Sequence, residues 1–468
     1  MRDLLTQETG VMELSRARLL RQGLLLISLA GMAASAAAQT GAAQMHPDST
    51  NMGQMNMGQM NMNMPMNMGG PAKTLEENVL RHTTSGTSLE PGSTPPAMLM
   101  QMHGNWMLML HGQAQIAEQQ QTGPRGADKL FSTNWIMPMA QRNWKSSQLT
   151  LRMMLSLEPA TISGRYYPEL FQQGETAFGL PIVDGQHPHN LFMEIAALYD
   201  VKAGKNALFS LYGGPVGDPA LGPVAYPHRA SAMEDPIAPL GHHLQDSTHI
   251  AWNVVTGGVA LGPVRVEASG FHGREPDENR WHIEVGAVDS WSGRVTAAIS
   301  RDWTAQYSVG HLTSPEQLHP GEDVLRQTAS IAMHHVWGEA AQNAKYGVTL
   351  DALALWGRNH TIGSNVNWNG YLFEATSHIH DRHSIWTRIE NVDRTSDLLG
   401  AEAPAEEYVI GRVQAYTIGY AHRIYADKYG SAEIGAQPTF YNTPQTLRSL
   451  YGDHPVGVAA VLNVHLGK

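Results

Sequence analysis

The feature that most constrains this chain is a series of short segments in which apolar and polar residues alternate. From His103 onward, segments of about ten to fourteen residues alternate imperfectly and are separated by turn residues. In the last segment, one face carries Val456, Val458, Ala460, Leu462, Val464 and Leu466. A period of two predicts β-strands with one apolar face. The chain has no run of 18 apolar residues, so membrane-spanning helices are not predicted.

The connections between these segments alternate in length. Sixteen strands fit from residue 103 onward. The odd-numbered connections are mostly long and fall at 118–131, 158–189, 214–245, 273–288, 313–323, 395–407 and 442–454, with a short one near 359–363. The even-numbered connections are short and fall at 144–147, 202–205, 258–262, 301–302, 338–345, 379–382 and 425–428. Long loops at one rim and short turns at the other are typical of outer-membrane barrels.

We therefore predict an all-β fold, an antiparallel transmembrane β-barrel over residues 103–468, with about 14–18 strands and 16 favoured. A propeller or sandwich is the soluble alternative, but the chain shows no repeat near forty residues. Aromatic residues near strand ends are candidates for the interface girdles of such a barrel. They are Trp135, Trp144, Tyr199, Tyr212, Trp291, Trp303, Trp356 and Trp386.

The residues before the barrel divide into an export signal and a tail. Residues 1–38 have a basic start, an apolar stretch from Leu24 to Ala33 and Ala36-Ala37-Ala38, which is typical of a cleaved secretory signal; an uncleaved anchor is the alternative. Residues 39–102 are predicted to be a disordered periplasmic tail and linker. Within them, a short helix starts at Thr74 through a capping box with Glu77.

Methionine dominates the tail. Nine residues between Met45 and Met68 are methionine, with Asn, Gly and Gln between them. The set is Met45, Met52, Met55, Met57, Met60, Met62, Met64, Met66 and Met68, with His46 beside it. A thioether is a soft neutral ligand that suits Cu(I) best, and the chain has no cysteine to compete with it. A passive, compositionally biased linker is the alternative.

Net charge excludes one class of partner. The formal net charge is −11, whereas nucleic acid attracts basic surfaces. We therefore expect no nucleic-acid partner.

Two long predicted loops concentrate histidine. The loops contain His187, His189, His228, His242, His243 and His249, together with several carboxylates. Imidazole and carboxylate suit Zn, Cu(II), Ni or Fe, although the spacing matches no standard zinc signature. Hydrogen bonding within an ordered plug is the alternative. On the later strands, His334 and His335 point to opposite faces, whereas His378 and His380 could share one.

Catalysis is a weak alternative. Asp246, Ser247 and His249 would form an orienter, nucleophile and base only if their side chains met in space. The chain has no Gly-x-Ser-x-Gly motif and no Gly-rich phosphate loop. We expect no enzyme.

In plan, the chain resembles the bacterial copper-resistance B family, in which a Met/His-rich N-terminal segment precedes an outer-membrane barrel. The resemblance lies in Asn-Met-Gly-Gln-Met, repeated at 51–60, and in the strand pattern after residue 103. The stretches at 184–189, 217–223 and 273–278 are instead similar to an uncharacterised group of bacterial envelope proteins, which implies no activity.

The resemblance implies copper handling. The leading hypothesis is an outer-membrane barrel that binds Cu(I) through the periplasmic tail and sequesters it or passes it to the pore, with periplasmic copper-handling proteins as candidate partners. The histidine loops would hold a possible second metal. The alternative is a porin for small organic solutes with a passive tail. Outer-membrane lipid surrounds the barrel in either case, and a homo-oligomer is possible.

Overall fold

The alternating segments form strands that close into a barrel. The computed structural model describes residues 70–204, 206–337, 347–402 and 407–467. All of them belong to one unit, Met62–Lys468. The predicted signal peptide and the methionine tail from Met45 to Met68 lie outside the described residues.

The described strands and helices are as follows. The strands are β1 (Leu99–His103), β2 (Trp106–Gln121), β3 (Asp128–Asn143), β4 (Ser147–Leu155), β5 (Tyr167–Ala177), β6 (Leu180–Gln186), β7 (Phe192–Ala203), β8 (Ala207–Gly217), β9 (Ala251–Leu261), β10 (Val264–His272), β11 (Ser290–Ala298), β12 (Trp303–Leu312), β13 (Asp323–Trp337), β14 (Val348–Ile362), β15 (Asn367–Ile379), β16 (His383–Thr395), β17 (Val409–Ala426), β18 (Gly430–Asn442) and β19 (Val456–Leu466). The helices are α1 (Leu75–Arg81), α2 (Glu158–Thr161), α3 (His242–Gln245) and α4 (Arg448–Tyr451). Short 3-10 turns cover Ser163–Arg165, Tyr226–His228, Ser247–His249, Ser396–Glu402 and Gln445–Leu447.

Sixteen of these strands form the barrel wall, each antiparallel to its neighbours. The ring closes where β19 pairs with β2, from Gly457 opposite Gln121 to Leu466 opposite Gly112. β1 pairs with the first residues of β2, and β5 and β6 form a separate hairpin. The predicted all-β barrel and its favoured strand number are confirmed.

The two faces of the wall differ in polarity. On β19, Val458 and Val464 are exposed on the outside, whereas Asn463 and His465 are buried on the inside. Elsewhere the inner wall carries charged and polar side chains such as Arg265, Glu267, Arg326, Glu374 and Arg388. This alternation is expected where one face meets lipid and the other faces the lumen.

The long and the short connections lie at the rims predicted for them, but one long connection is shorter than predicted. The sequence analysis predicted a loop over 118–131, but β2 continues to Gln121 and β3 begins at Asp128. Gln119 is buried on the inner face, so the polar residues that resembled a loop belong to a strand whose polar side faces the lumen.

The aromatic girdle is only partly as predicted. Trp144, Tyr199, Trp291 and Trp303 are exposed on the outside of the barrel. Tyr212 and Trp386 are buried, and Trp135 packs inside the lumen. The prediction was wrong for these three because they stand at inward positions of their strands. In the described part of the chain, no helix is long and apolar enough to cross a membrane.

The N-terminal segment from residue 70 packs against the inner wall. Thr74 caps α1, as predicted, by accepting a hydrogen bond from the Glu77 backbone N–H at 3.1 Å. Leu75, Val79 and Leu80 pack on Leu208 and Ala260. Apolar burial therefore holds in the lumen a segment that the sequence analysis treated as a linker.

This segment enters at the rim of short turns. Lys202, next to one of those turns, pairs with Glu76 at 2.7 Å. Further in, Gln148 and Gln141 of the wall donate hydrogen bonds to the Leu80 carbonyl. Arg152 Nη1 donates to the Thr84 carbonyl at 2.5 Å. The segment's backbone is thus satisfied by side chains of the wall.

Inward-facing methionines form a patch in the lumen. Seven of the twelve methionines after residue 69 belong to one buried cluster. This methionine patch consists of Met98, Met107, Met109, Met137, Met139, Met154 and Met193. Trp135 and Trp252 pack with it. The inner wall therefore carries an apolar, sulfur-rich surface beside its charged and polar side chains.

Candidate functional site

Two long connections fold into the lumen. We call residues 156–191 the first plug loop, which contains α2 and the β5–β6 hairpin, and residues 218–250 the second plug loop, which contains α3. Arg229 of the second plug loop pairs with Glu374 of the wall at 2.5 Å. Arg388 of the wall pairs with Asp235 of the same loop at 2.9 Å. Buried ion pairs thus fasten the second plug loop inside the barrel.

The wall also fixes the position of α3. Arg326 Nη2 donates to the His243 carbonyl at 2.6 Å, and Asn359 Nδ2 donates to the same oxygen at 3.2 Å. Gly357 lets the helix approach β14, since a Cβ at that position would lie 2.3 Å from the Leu244 carbonyl oxygen. The two histidines of α3 are therefore held at a defined height in the lumen.

Three buried imidazoles converge between the two plug loops. His187 comes from the end of the first loop, and His242 and His243 come from α3 in the second. One ring nitrogen from each lies within 4.8 Å of the others. Two separate loops meet at this point, which we call the tri-histidine centre.

A hydrogen bond at Nδ1 orients each of these rings. His242 Nδ1 lies 2.7 Å from Asp246 Oδ1, and His243 Nδ1 lies 3.3 Å from Glu275 Oε1. His187 Nδ1 lies 3.2 Å from the Pro188 carbonyl oxygen. Metal-binding histidines almost always have such partners, which fix the tautomer and leave the second nitrogen free to coordinate.

Two Nε2 atoms of the tri-histidine centre have no hydrogen-bond partner among the described residues, and one of them lies beside a carboxylate. His243 Nε2 is buried and has no hydrogen-bond partner among the described residues. His187 Nε2 lies 3.1 Å from Glu175 Oε1, although not in hydrogen-bonding geometry. Glu175 is itself paired with Arg280 from the connection between β10 and β11. A carboxylate thus lies beside one of the three imidazoles.

Two further histidines extend the cluster inward. His249 contacts His242 at 5.3 Å and His189 at 5.2 Å between ring centroids. His249 Nδ1 bonds to the Asp246 carbonyl oxygen at 2.8 Å, and its Nε2 has no partner in the described part of the chain. His189 Nδ1 is held by Glu158 at 2.9 Å. Five imidazoles thus lie side by side in the plug.

Burial keeps four of these imidazoles neutral, namely those of His187, His242, His243 and His249. It lowers the pKa of His242 to about 4, against the opposing effect of Asp246, and lowers that of His243 to about 3 with help from Arg326. Burial and the neighbouring histidines hold the pKa of His187 and His249 well below the ordinary value. Neutral imidazole is the form that binds metals.

Asp246 has a different electrostatic environment. Burial would raise its pKa, but His242 and Arg229 together hold it well below the ordinary range. The carboxylate therefore stays ionised. It links the tri-histidine centre to the Arg229 anchor of the second plug loop.

Of the six loop histidines named from the sequence, the structure brings three together and places His189 and His249 beside them. His228 lies apart, stacked on Trp135 with ring centroids 4.1 Å apart. The sequence analysis missed Glu175 and Glu275. Only tertiary contact identifies them, because they come from different loops and no spacing relates them.

Two arrangements that the sequence left open do not occur. Ser247 accepts a hydrogen bond from Arg326 at 2.8 Å, while His249 bonds the backbone of Asp246, so these three residues do not form a catalytic relay. β15 ends at Ile379, and His380 lies in the following turn with φ 51°, so it does not continue the face of His378. His334 is buried and His335 lies outside the lumen, as their opposite faces predicted.

The donor set fits a borderline divalent metal. Three neutral nitrogens with one carboxylate are ligands that Zn, Cu(II), Ni or Fe accept. The tail methionines and His46 lie outside the described residues, so their part in binding stays a prediction.

No protein-family model and no curated protein matches this chain. It is similar in fold to the anion-selective porin from Comamonas acidovorans, with a TM-score of 0.46 and 12% identity over 77% of this chain and 99% of that one. It is also similar in fold to OprB of Pseudomonas putida, with a TM-score of 0.47 and 8% identity over 77% of this chain and 94% of that one. For the outer membrane channel DcaP of Acinetobacter baumannii, the TM-score is 0.42 and the identity is 10% over 78% of this chain and 99% of that one. At these values the likeness carries no argument about what this chain binds or passes.

Proposed function

We propose that the chain is an outer-membrane barrel that binds a transition-metal ion inside its lumen and takes part in handling that metal in the bacterial envelope. One observation carries the proposal: three buried, neutral imidazoles from two plug loops converge within 4.8 Å. A buried polar group without a partner is costly. His243 Nε2 is buried and has no hydrogen-bond partner among the described residues, although the ring is oriented through Nδ1. A bound metal ion would offset the free-energy cost of that unpartnered nitrogen.

The architecture supports the location. A closed sixteen-strand barrel with an apolar exterior is built to sit in an outer membrane. The short turns and the entry of the N-terminal segment share one rim, which we assign to the periplasm. Lipid would then surround the wall, and the methionine tail would extend into the periplasm, where it could receive copper from other proteins.

Metal titration of the full-length protein in detergent tests the tri-histidine centre. Co(II) and Zn(II) are suitable probes, because thioethers of the tail bind them poorly. We expect His242→Ala to lower Co(II) affinity by at least tenfold and to remove a tetrahedral Co(II) absorption band. Heat-modifiable migration on gels would verify that the barrel has folded.

His454→Ala is the matched control, because this histidine is exposed on the connection between β18 and β19, outside the plug loops. If both variants bind Co(II) as the wild type does, the tri-histidine centre is not a metal site and the proposal fails.

The copper assignment rests on the tail and needs its own test. Deleting residues 45–68 removes nine thioethers and His46. We expect lower copper tolerance in cells and fewer Cu(I) ions bound per chain. Unchanged tolerance and binding would reduce this segment to a passive linker while leaving the Co(II) experiment unaffected.

A porin for small organic solutes is the second candidate. Sixteen-strand barrels are wide enough for an aqueous channel. A cavity of about 700 Å³ opens among the first plug loop, the connection between β10 and β11 and the connection between β12 and β13. It is lined by Arg165, Glu278, Trp281 and Gln317. The plug is held by ion pairs that a rearrangement could release. This candidate predicts solute flux through the purified barrel that copper does not change.

A further inference from the structure

The register of β2 and β3 places a histidine among methionines. His111 lies directly opposite Met137, and Met109 lies directly opposite Met139. All four side chains are buried on the lumen face. Directly opposite residues on one face of an antiparallel pair have Cβ atoms about 4.5–5.5 Å apart. An imidazole and three thioethers therefore share one small area of the inner wall.

A second imidazole reaches the same area from the plug. The ring centroid of His228 lies 5.5 Å from that of His111 and 4.1 Å from that of Trp135. Trp135 in turn packs with the methionine patch. Two residues that are far apart in sequence thus meet where the second plug loop touches the wall.

Both imidazoles have an unused nitrogen. His111 is 7% exposed and His228 is 6% exposed, yet the Nε2 of each has no hydrogen-bond partner among the described residues. Two buried, unpartnered nitrogens in ring contact are difficult to explain as packing alone, since each forgoes a hydrogen bond that water would supply.

We propose that His111, His228, Met109 and Met137 form a second, softer site that binds a monovalent thiophilic cation, Cu(I) or Ag(I). This inference rests on the proposed function and specifies its substrate class. Thioether is a soft ligand that suits Cu(I), and imidazole also binds copper.

The local charge suits a monovalent ion. Arg152 stands opposite Met139 on β4, but its guanidinium is paired with Glu194 at 2.7 Å, so that charge is balanced. The direct neighbours of the site named above are neutral. The ligands would therefore partly offset the charge of a soft monovalent ion through polarisable sulfur, with no carboxylate required.

The second site lies next to the tri-histidine centre. A cavity of about 20 Å³, enough for one water-sized group, is lined by Trp135, His189 and Tyr226. His189 contacts His249, which contacts His242. Neighbouring rings and this cavity thus connect the second site with the tri-histidine centre inside the lumen.

Ag(I) titration of the full-length protein tests the second site, because Ag(I) is soft and does not change oxidation state in air. The variant is Met109→Leu with Met137→Leu, which preserves volume and apolar character. The control is Met153→Leu with Met333→Leu, whose side chains alternate out of the lumen. The methionine tail is present in all three proteins and contributes equally.

We expect the Met109/Met137 variant to bind one Ag(I) fewer per chain than the wild type, and the control variant to bind the same number. Equal Ag(I) binding by all three, or an equal loss in both variants, would overturn the second site. Should the double variant not fold, His228→Gln on the plug is the replacement, with the same expected loss of one ion.

The Co(II) titration of the same samples separates this inference from the proposed function. Normal Ag(I) binding by the Met109/Met137 variant, with Co(II) lost only in His242→Ala, would remove the soft site alone. No Co(II) effect in His242→Ala would remove the proposed function, whatever the Ag(I) result.

Discussion

At the scale of residues, the tri-histidine centre depends on groups that do not themselves bind an ion. Asp246 holds His242 through one carboxylate oxygen and Arg229 through the other. Glu275, from a third connection, holds His243. Such outer partners typically change metal affinity by about 10–100-fold when they are removed. A small residue is equally important, because Gly174 lies against the His243 ring.

Gly174→Ala should lower Co(II) affinity by about tenfold while the barrel remains folded. A Cβ at Gly174 would lie 2.6 Å from the atoms of the His243 ring, so the ring must shift. Gly179→Ala is the control, since Gly179 also has positive φ but has no atom within 4 Å of its Cβ position. Equal Co(II) affinities in the two variants, measured by competition, would argue against a defined position for His243.

At the scale of elements, buried ion pairs hold the second plug loop in place. Arg388 bonds Asp235, Glu374 and the Ile237 carbonyl oxygen from one position on β16. From another strand of the wall, Asn463 of β19 donates to Glu234 at 2.8 Å. Removing one partner of a buried pair costs about 3–5 kcal/mol, because the other charge stays buried. These contacts therefore hold the second plug loop in place, and loss of one charged partner would weaken that hold.

Arg388→Met should loosen the second plug loop without breaking the wall. Asp235 and Glu374 would then repel each other and draw water into the lumen. We expect larger and more frequent conductance steps in planar bilayers than the wild type shows. Arg412→Met serves as the control, because Arg412 is half-exposed and pairs with Asp393 outside the plug. Indistinguishable conductance of the two variants would mean that this anchor does not close the pore.

At the scale of the whole molecule, stability depends on charged groups enclosed by the barrel. Asp218 at the start of the second plug loop is buried and accepts a hydrogen bond from Ser85 at 3.0 Å. Burial raises the pKa of Asp218 to about 7, although Arg294 opposes the effect. Its protonated form therefore stabilises the folded protein, by about 1.4 kcal/mol for each unit by which the pKa is raised.

The melting temperature should consequently fall as the pH rises from about 5 to 8. The contribution of Asp218 is complete below its ordinary pKa of 3.8 and is lost as the pH rises through about 7. Asp218→Asn should flatten this fall, as followed by circular dichroism of the strands, whereas Asp453→Asn at an exposed position should not. A wild-type-like slope in Asp218→Asn would show that other groups cause the dependence.

Much of the fold could be predicted from local pattern. The alternation of β19 and the contrast between long and short connections depend on neighbours in sequence, so they predicted the barrel, its rims and its strand number. The same reasoning failed at 118–131, because polar residues that face a lumen have the composition of a loop. It also misplaced Trp135, whose side is set by strand register.

For the candidate site, the sequence predicted the types of ligand but not their arrangement. His187, His242 and His243 were recognisable as ligand types in two long loops. Their convergence, the carboxylates beside them and the separation of His228 depend on how those loops fold inside a closed wall. The pairing of His111 with Met137 likewise exists only because β2 and β3 adopt one register.

The sequence by itself determined a sixteen-strand barrel with two histidine-rich loops, because strand periodicity and loop length are local properties of the chain. Only the tertiary structure decided that the loops enter and fill the lumen, which imidazoles meet there and which methionines face them. Those contacts join residues that are distant in sequence, and their free energy comes from burial and ion pairing that exist only after the barrel closes.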